Sequence, residues 1–256
     1  QLHSDFIIQD EMLGLGHAIY MATPTFDDDD IFVILGDTIF DVDLSYVFKS
    51  KHSSLGVKEV DDPRRFGVAI MKEKFIRKLV EKPQEPVSNL ALVGLYYFKN
   101  ARLLKSALTE LVEKDIRTKG ELQLTDAIQI MIDKGEKITT FPVEGWYDCG
   151  KPETLLLTNQ HLLSQKDNGR EIDSVVINKP VFIAEDAHIK NSVIGPYATI
   201  ASGTIIEDSI IRNSLIGSGA KVLKALLENS IIGDNSVIQG SFKRLNSGNS
   251  TEMDFY

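Results

Sequence analysis

The sequence predicts an α/β layered domain followed by a parallel β-helix, and three observations carry that expectation. Up to about residue 150, short unbroken apolar runs mix with amphipathic stretches, the pattern of strands and helices in layered α/β folds. Further on, the phrase Asn-Ser-aliphatic-Ile-Gly appears at 191–195, 213–217 and 229–233. Around these phrases aliphatic residues recur every five or six positions, a step too long for a helix face and too regular for ordinary hairpins.

The elements follow in order. Strands are expected at 31–36 (IFVILG), 66–71 (FGVAIM), 91–98 (ALVGLYYF) and 138–143 (ITTFPV), with a further strand ending at Glu81-Lys82-Pro83. Helices are expected at Leu44–Lys51, Ala101–Val112 and Leu124–Lys134, the last opening on Thr125 and Asp126 as capping-type residues. The four aspartates at 27–30 read as a solvated loop before a strand rather than a metal site. The first domain is placed at 1–153, and residues 154–172 are a connecting helix (Thr154–Gln165) and loop. The β-helix is placed at 173–240, with Ile183, Ile189, Ile194, Ile200, Ile206, Ile211, Ile216, Val222, Leu227, Ile232 and Ile238 as its inward column. The Asn-Ser and Gly positions fall at its corners, where tight turns suit them. Residues 241–256 lose the period and are expected to form a short cap or frayed tail.

Composition excludes several classes. Of 256 residues, 43% are hydrophobic and 25% charged, enough for one large domain or two modest ones. The 37 acidic and 28 basic residues give a net charge of −9. This speaks against nonspecific binding of nucleic acid, whose phosphates are held by clustered Lys and Arg. A small phosphorylated ligand is compatible with it, since a metal ion or a few local cations suffice. The single cysteine, Cys149, has no internal disulfide partner, which fits a reducing cytoplasm. No long apolar run or signal sequence is present, so a cytoplasmic chain without membrane partners is expected.

Two carboxylates stand in comparable settings: Asp37 follows the apolar run IFVILG, and Asp148 sits in GWYDCG. Ligands of open α/β sheets collect where strands end, and two carboxylates brought together make a seat for Mg2+, a hard cation that also bridges to phosphates. Taken singly, either is an ordinary turn residue. Lys82, held by a following proline, is a fixed cation for a phosphate, and Glu81 can accept from sugar hydroxyls. The competing reading of Glu-Lys-Pro is an exposed charged turn. In QDEMLGLGHA a polar side chain precedes two glycines that let a ligand approach the backbone, and His17 there reads as a packing or hydrogen-bonding residue.

Seven segments in order, QDEMLGLGHA, LGD, DDPRRFGV, VEKP, LVGLYYF, KGELQLTDA and WYDCG, resemble the sugar-1-phosphate nucleotidylyltransferases. The likeness is strongest to the glucose-1-phosphate thymidylyltransferase and UTP-glucose-1-phosphate uridylyltransferase types with a C-terminal hexapeptide β-helix. It covers nearly all of residues 6–150, and the repeats extend it to about 240. The resemblance implies a Rossmann-like domain followed by a left-handed β-helix that joins subunits into a homo-oligomer. It implies transfer of a nucleotidyl group from dTTP or UTP to glucose-1-phosphate with Mg2+, releasing pyrophosphate. Gln9 and the backbone around Gly14 would then recognise the base, and Asp37 and Asp148 would hold Mg2+ against the phosphates. Gly67 would offer its backbone to the sugar, Glu81 would bind its hydroxyls and Lys82 its phosphate. Val93 and Gly94 would line the sugar pocket, with Glu121 and Thr125 in support. Leu15 leans away from N-acetylglucosamine phosphate.

One departure matters. The family opens with a strand and a G-x-G-T-R-x-x-P loop that cradles the triphosphate, and these 256 residues contain no such segment. The chain is therefore expected to be entered partway through the domain, and full turnover is not expected of it alone. Two other classes compete: an assembly or sugar-nucleotide-binding module without turnover, and a hexapeptide acyltransferase. The second has only His188 as a base within the repeats.

Overall fold

The structure is a computed structural model that describes residues 4–169, 171–240 and 246–254. The chain divides into two compact units, Gln1–Trp146 and Tyr147–Tyr256. Within the second unit Tyr147 stacks on His161 of the helix that follows it, with ring centroids 4.1 Å apart.

In the first unit, helix α1 (Leu15–Met21) precedes strands β1 (Ile31–Ile34), β2 (Thr38–Asp41), β3 (Ser53–Glu59), β4 (Gly67–Lys72), β5 (Phe75–Glu81) and β6 (Leu90–Phe98). Helices α2 (Ala101–Glu113) and α3 (Leu124–Asp133) and strand β7 (Ile138–Pro142) follow, and β8 (Gly145–Asp148) runs from the end of the first unit into the start of the second. The main sheet runs β5-β4-β6-β3-β7, with β1 also on β6. All its pairs are antiparallel except β3 with β7.

Strand β6 divides two cores. By the two-residue alternation of a strand, Leu92, Tyr96 and Phe98 join the helix-side core with Leu104, Leu108, Leu111, Ile128 and Met131. Val93, Leu95 and Tyr97 face the other way, onto Val47, Phe141 and Val143. Strand β3 was not anticipated, since its sequence SSLGVKE dilutes the apolar signal. Its buried serines are satisfied nonetheless: Ser53 Oγ donates to Glu136 (3.0 Å) and Thr139 Oγ1 meets Ser54 Oγ (3.1 Å).

Two expectations are corrected. Leu44–Lys51 is not a helix. Leu44 O accepts from Val47 and Phe48, and the single turn stops there as Ser50 Oγ turns to His52 O while Val47 enters the smaller core. Helix α3 is present, but Thr125 and Asp126 do not cap it. The N-cap is Gln123, whose side chain makes no capping hydrogen bond, and Thr125 lies inside the first turn with its hydroxyl spent on Glu81. The four aspartates lie in a loop as expected, with Asp28 paired to Arg102 and Asp30 to Lys99 (2.7 Å).

The second unit carries helix α4 (Pro152–Gln165) and a parallel β-helix whose short strands stack into three sheets. All eleven aliphatic residues expected to point inward do so, and each is at most 8% exposed. The repeated phrase has a physical cause. Asn191, Asn213 and Asn229 turn the corners at positive φ, a conformation asparagine tolerates. The serines form a ladder: Ser209 Oγ donates to Glu207 O (2.7 Å) and accepts the Ala225 N–H (3.0 Å) of the next rung. Ser192 and Ser214 repeat the arrangement. The phrase-ending glycines sit where a Cβ would strike the neighbouring rung, 2.0 Å from Asn178 O at Gly195. Parallel pairing continues past Gly240, with Asn246–Ser247 on Ile231–Ile232 and Glu252–Asp254 on Val237–Gln239. The coil thus extends into the region expected to cap it, while residues 241–245 and 255–256 of that region lie outside the described residues.

Replacing Ser209 by Ala removes the acceptor of the buried Ala225 N–H and is expected to cost about 1–3 kcal/mol. A lowered thermal midpoint of the solenoid transition, with the first unit's transition unmoved, is the expected calorimetric result.

Candidate functional site

Strands β1 and β4 share one edge of β6, and a gap lies between them. Ala91 pairs with both Val68 of β4 and Lys58 of β3, so β3 and β4 take opposite edges. Tyr96 and Tyr97 pair with both β1 and β3, so β1 also lies opposite β3. On the shared edge, β1 ends at Ile34 opposite Leu95, and Leu35 N–H still reaches Gly94 O at 3.0 Å. The C-terminal end of β1, continued by Leu35-Gly36-Asp37, and the start of β4 at Gly67 therefore follow each other end to end along β6, beside Leu92 and Val93. A break between strands along one edge opens a crevice at strand ends, the place where layered α/β sheets take ligands.

Glycines shape this gap. Gly94 has φ +91 and a Cβ there would sit 2.9 Å from the Leu35 side chain. Val93, by contrast, is 2% exposed and packed in the smaller core, so its side chain is taken up by packing. Gly67 pairs with Glu81 across β4 and β5. Its absent Cβ would lie 2.9 Å from both Glu81 Oε2 and Thr125 Cγ2.

Glu81 is the centre of the polar cluster. Its side chain is only 10% exposed, and its Oε2 accepts from Thr125 Oγ1 at 3.1 Å. Burial pushes its carboxyl above the usual carboxylate range, the Thr125 hydroxyl and Lys82 oppose this, and Asp126 and Glu121 add to it. Nearby Tyr96 is raised by burial and then by the Glu81 charge, which keeps its phenol protonated. Lys82 Nζ stands 3.8 Å from Glu81 Oε1 and is half exposed. Its backbone is held by N–H donation to Phe66 O (3.0 Å) in the left-handed region, φ 43, a conformation that costs a non-glycine residue roughly 1 kcal/mol.

A second group surrounds Gly14. Gln9 Nε2 donates to Gly14 O (3.2 Å) and lies 3.0 Å from His17 Nδ1. A Cβ on Gly14 would meet Glu121 Cβ at 2.9 Å, and Leu13 and Gly16 are zipped to Leu122. Glu121 Oε2 accepts from Gln123 Nε2 at 2.9 Å. Because Glu121 also bears on Glu81, the Gln9–Gly14 group and the Gly67–Glu81–Lys82 group belong to one region.

The structure thus gathers Gly67, Glu81, Lys82, Thr125 and Glu121, and sets Gly94 and Asp37 at the opposite lip of the gap. Asp148 lies in the second unit and is described by itself: it is half-buried and its Oδ1 accepts from Gly150 N–H at 2.8 Å. Sequence reasoning missed Tyr96, Gln123 and Asp126, the last with a buried Oδ2 that has no hydrogen-bond partner. Tyr96 lies in LVGLYYF and Gln123 and Asp126 in KGELQLTDA, but nothing in those segments singles them out as site residues; the fold brings Tyr96 and Asp126 near Glu81 and Gln123 onto Glu121.

The gap in this mixed sheet is lined by glycines and flanked by the half-exposed Lys82 and by several carboxylates. A family model described as nucleotidyl transferase matches residues 1–165, and the chain belongs to that family. Among curated proteins it is 38% identical over 192 residues to the low-salt glycan biosynthesis nucleotidyltransferase Agl11 of Haloferax volcanii, covering 71% of this chain and 52% of that one. It is 35% identical over 216 residues to a glucose-1-phosphate thymidylyltransferase of Streptomyces antibioticus, covering 80% and 59% respectively. A crystal structure of a putative glucose-1-phosphate thymidylyltransferase from Bacillus anthracis in complex with a sucrose superposes with a TM-score of 0.52 at 28% identity. That superposition covers 65% of this chain and 67% of the other. The chain spans about half the length of the curated relatives it matches.

The raised Glu81 carboxyl makes a testable prediction. In the interval between its unfolded and folded pKa the folded state holds the extra proton, so stability falls as pH rises through that interval. Glu81→Gln is therefore expected to melt with wild type at pH 4 and above it at pH 7, as read by circular dichroism.

Proposed function

We propose that the chain carries the sugar-phosphate and base-recognition side of a nucleotidyl transfer from dTTP or UTP to glucose-1-phosphate. In that reaction a phosphate oxygen of the sugar-1-phosphate attacks the α-phosphorus and pyrophosphate leaves. The observation that carries the reading is the Gly67–Glu81–Thr125–Lys82 cluster: the absent Gly67 side chain lets Glu81 and Thr125 close onto its backbone, a buried carboxylate accepts, and an adjacent ammonium stays half exposed.

Each residue has a share. Glu81, already held by Thr125, accepts from sugar hydroxyls, and the bare Gly67 backbone lets the ring lie close. Lys82 neutralises the sugar phosphate. Gln9, whose Nε2 is spent on Gly14 O and His17, presents its carbonyl to the base. No protein base is needed, because the attacking oxygen is already anionic, and the work is to position two polyanions and screen their repulsion.

Asp37 in the first unit and Asp148 in the second each suit Mg2+ by donor chemistry. Both are carboxylates without an ion pair among the described residues, whereas Asp28, Asp30, Asp62 and Glu110 are each matched to a cation. Clusters of three or more His, Cys, Asp or Glu able to hold a metal are absent among the described residues, so an ion held by either carboxylate would complete its shell with phosphate oxygens and water. When bound it supplies positive charge between the two substrates' phosphates.

The β-helix is proposed to join copies of the chain. A cytoplasmic location is proposed on the lone Cys149, and no helix among the described residues is long and apolar enough to cross a membrane.

Calorimetric titration with glucose-1-phosphate and with dTDP- or UDP-glucose tests the reading, alongside pyrophosphate release from dTTP or UTP with Mg2+. Binding is expected, and Lys82→Met is expected to weaken glucose-1-phosphate at least tenfold, about 1.4 kcal/mol. Retained binding without pyrophosphate release favours the module without turnover, and absence of binding overturns the proposed site.

A further inference from the structure

The three outer faces of the β-helix differ. On the sheet beginning with Val181–Ile183, the outward Thr199 donates to Asn159 of α4 (2.6 Å), and Gln160 of α4 donates to Asn213 (2.8 Å). Helix α4 therefore occupies that face. The sheet beginning with His188–Lys190 turns out His188, Lys190, Glu207 and Lys221 with Ile205, Leu223 and Val237 among them, so charged side chains interrupt its aliphatic ones. The third sheet turns out a row of aliphatic residues in register: Val176, Val193, Ile210 and Leu226. Their neighbours Ile194, Ile211 and Leu227 fill the core, and none of the four outward residues belongs to it. Val176 is 58% and Leu226 39% exposed. At about 4.8 Å between strands the row is about 15 Å long.

Its rims are charged in a definite pattern. Two residues before each row position stand Ser174, Asn191, Asp208 and Lys224, and two residues after stand Asn178, Gly195, Arg212 and Glu228. At the Ile210 rung the rims carry Asp208 and Arg212. At the Leu226 rung they carry Lys224 and Glu228, and all four charged residues are exposed.

We propose that this row is the contact between two copies of the chain, related by a two-fold axis parallel to the coil. Rotation about such an axis sets each aliphatic residue against its own copy and each rim against the opposite rim at the same height. Asp208 then faces Arg212 of the second copy and Lys224 faces its Glu228, each pair formed twice by symmetry. An antiparallel arrangement that keeps charges complementary must centre on the Ile210 and Leu226 rungs, which leaves Val176 and Val193 unmatched. The inference rests on the homo-oligomer reading above and gives it a face and a symmetry. The row is small beside the roughly 800 Å² per partner of a standard interface, so a concentration-dependent dimer is expected.

Sedimentation velocity over a concentration series tests it. Wild type is expected to dimerise, and Ile210→Glu to weaken the dimer at least tenfold with an unchanged melt, because the side chain points outward. Arg212→Glu is expected to weaken it, and the double variant Asp208→Lys/Arg212→Glu to regain it. Lysine is accommodated at this rim position, since Lys224 occupies the matching corner with φ 52 against 49 at Asp208. If Ile210→Glu disturbs the melt, the exposed charge variants decide alone. A monomer at every concentration overturns both this inference and the homo-oligomer reading. An oligomer indifferent to all the variants overturns the row while leaving the homo-oligomer reading intact. A double variant weaker than either single overturns the parallel arrangement.

Discussion

Strand Leu90–Phe98 is the constraint on which the first unit depends. It pairs on one edge with Ser53–Glu59 and on the other with two separate strands, while its alternating side chains feed two different cores. Burying both faces of one strand requires an unbroken apolar run, which LALVGLYYF supplies. Because two strands must share its second edge, a break there is unavoidable. The break is the candidate site, so the strand that organises the packing also sets where the candidate site lies.

The polar cluster beside that break works against stability. A carboxylate 10% exposed, a second carboxylate with an orphaned buried oxygen at Asp126, and a lysine held at positive φ each cost folding free energy. Such features persist where the surrounding structure over-determines them, and they gather at functional sites. The large helix-side core, with Leu104, Leu108, Leu111 and Ile128 all 0% exposed, offsets them at about 1.5–3 kcal/mol per buried side chain. The solenoid shows the opposite economy: its buried serines are satisfied rung by rung, and its corners use residues that accept positive φ.

The solenoid was legible residue by residue, because a period imposed by stacking repeats itself in sequence. The strands at 31, 66, 91 and 138 were legible as apolar runs. Ser53–Glu59 was hidden because its core positions include two serines and a glycine, whose partners lie more than eighty residues away. Leu44–Lys51 misled because a helical composition says nothing of the pull of Val47 into a core. At the site, Gly67, Glu81 and Lys82 stood out as short motifs. Thr125, legible as a capping-type residue and through the resemblance as a supporting site residue, donates to Glu81, whereas Asp126 reads locally as a cap and Tyr96 as part of an apolar strand. Their proximity to Glu81 is a product of topology.

The central claim is that ligand enters the break between Ile31–Ile34 and Gly67–Lys72 on the edge of Leu90–Phe98. Hydrogen–deuterium exchange of the chain with and without glucose-1-phosphate addresses it most directly. The account predicts slowed exchange confined to residues 66–68, 81–82 and 92–95. Protection absent from all three segments, or confined to the solenoid, would contradict it.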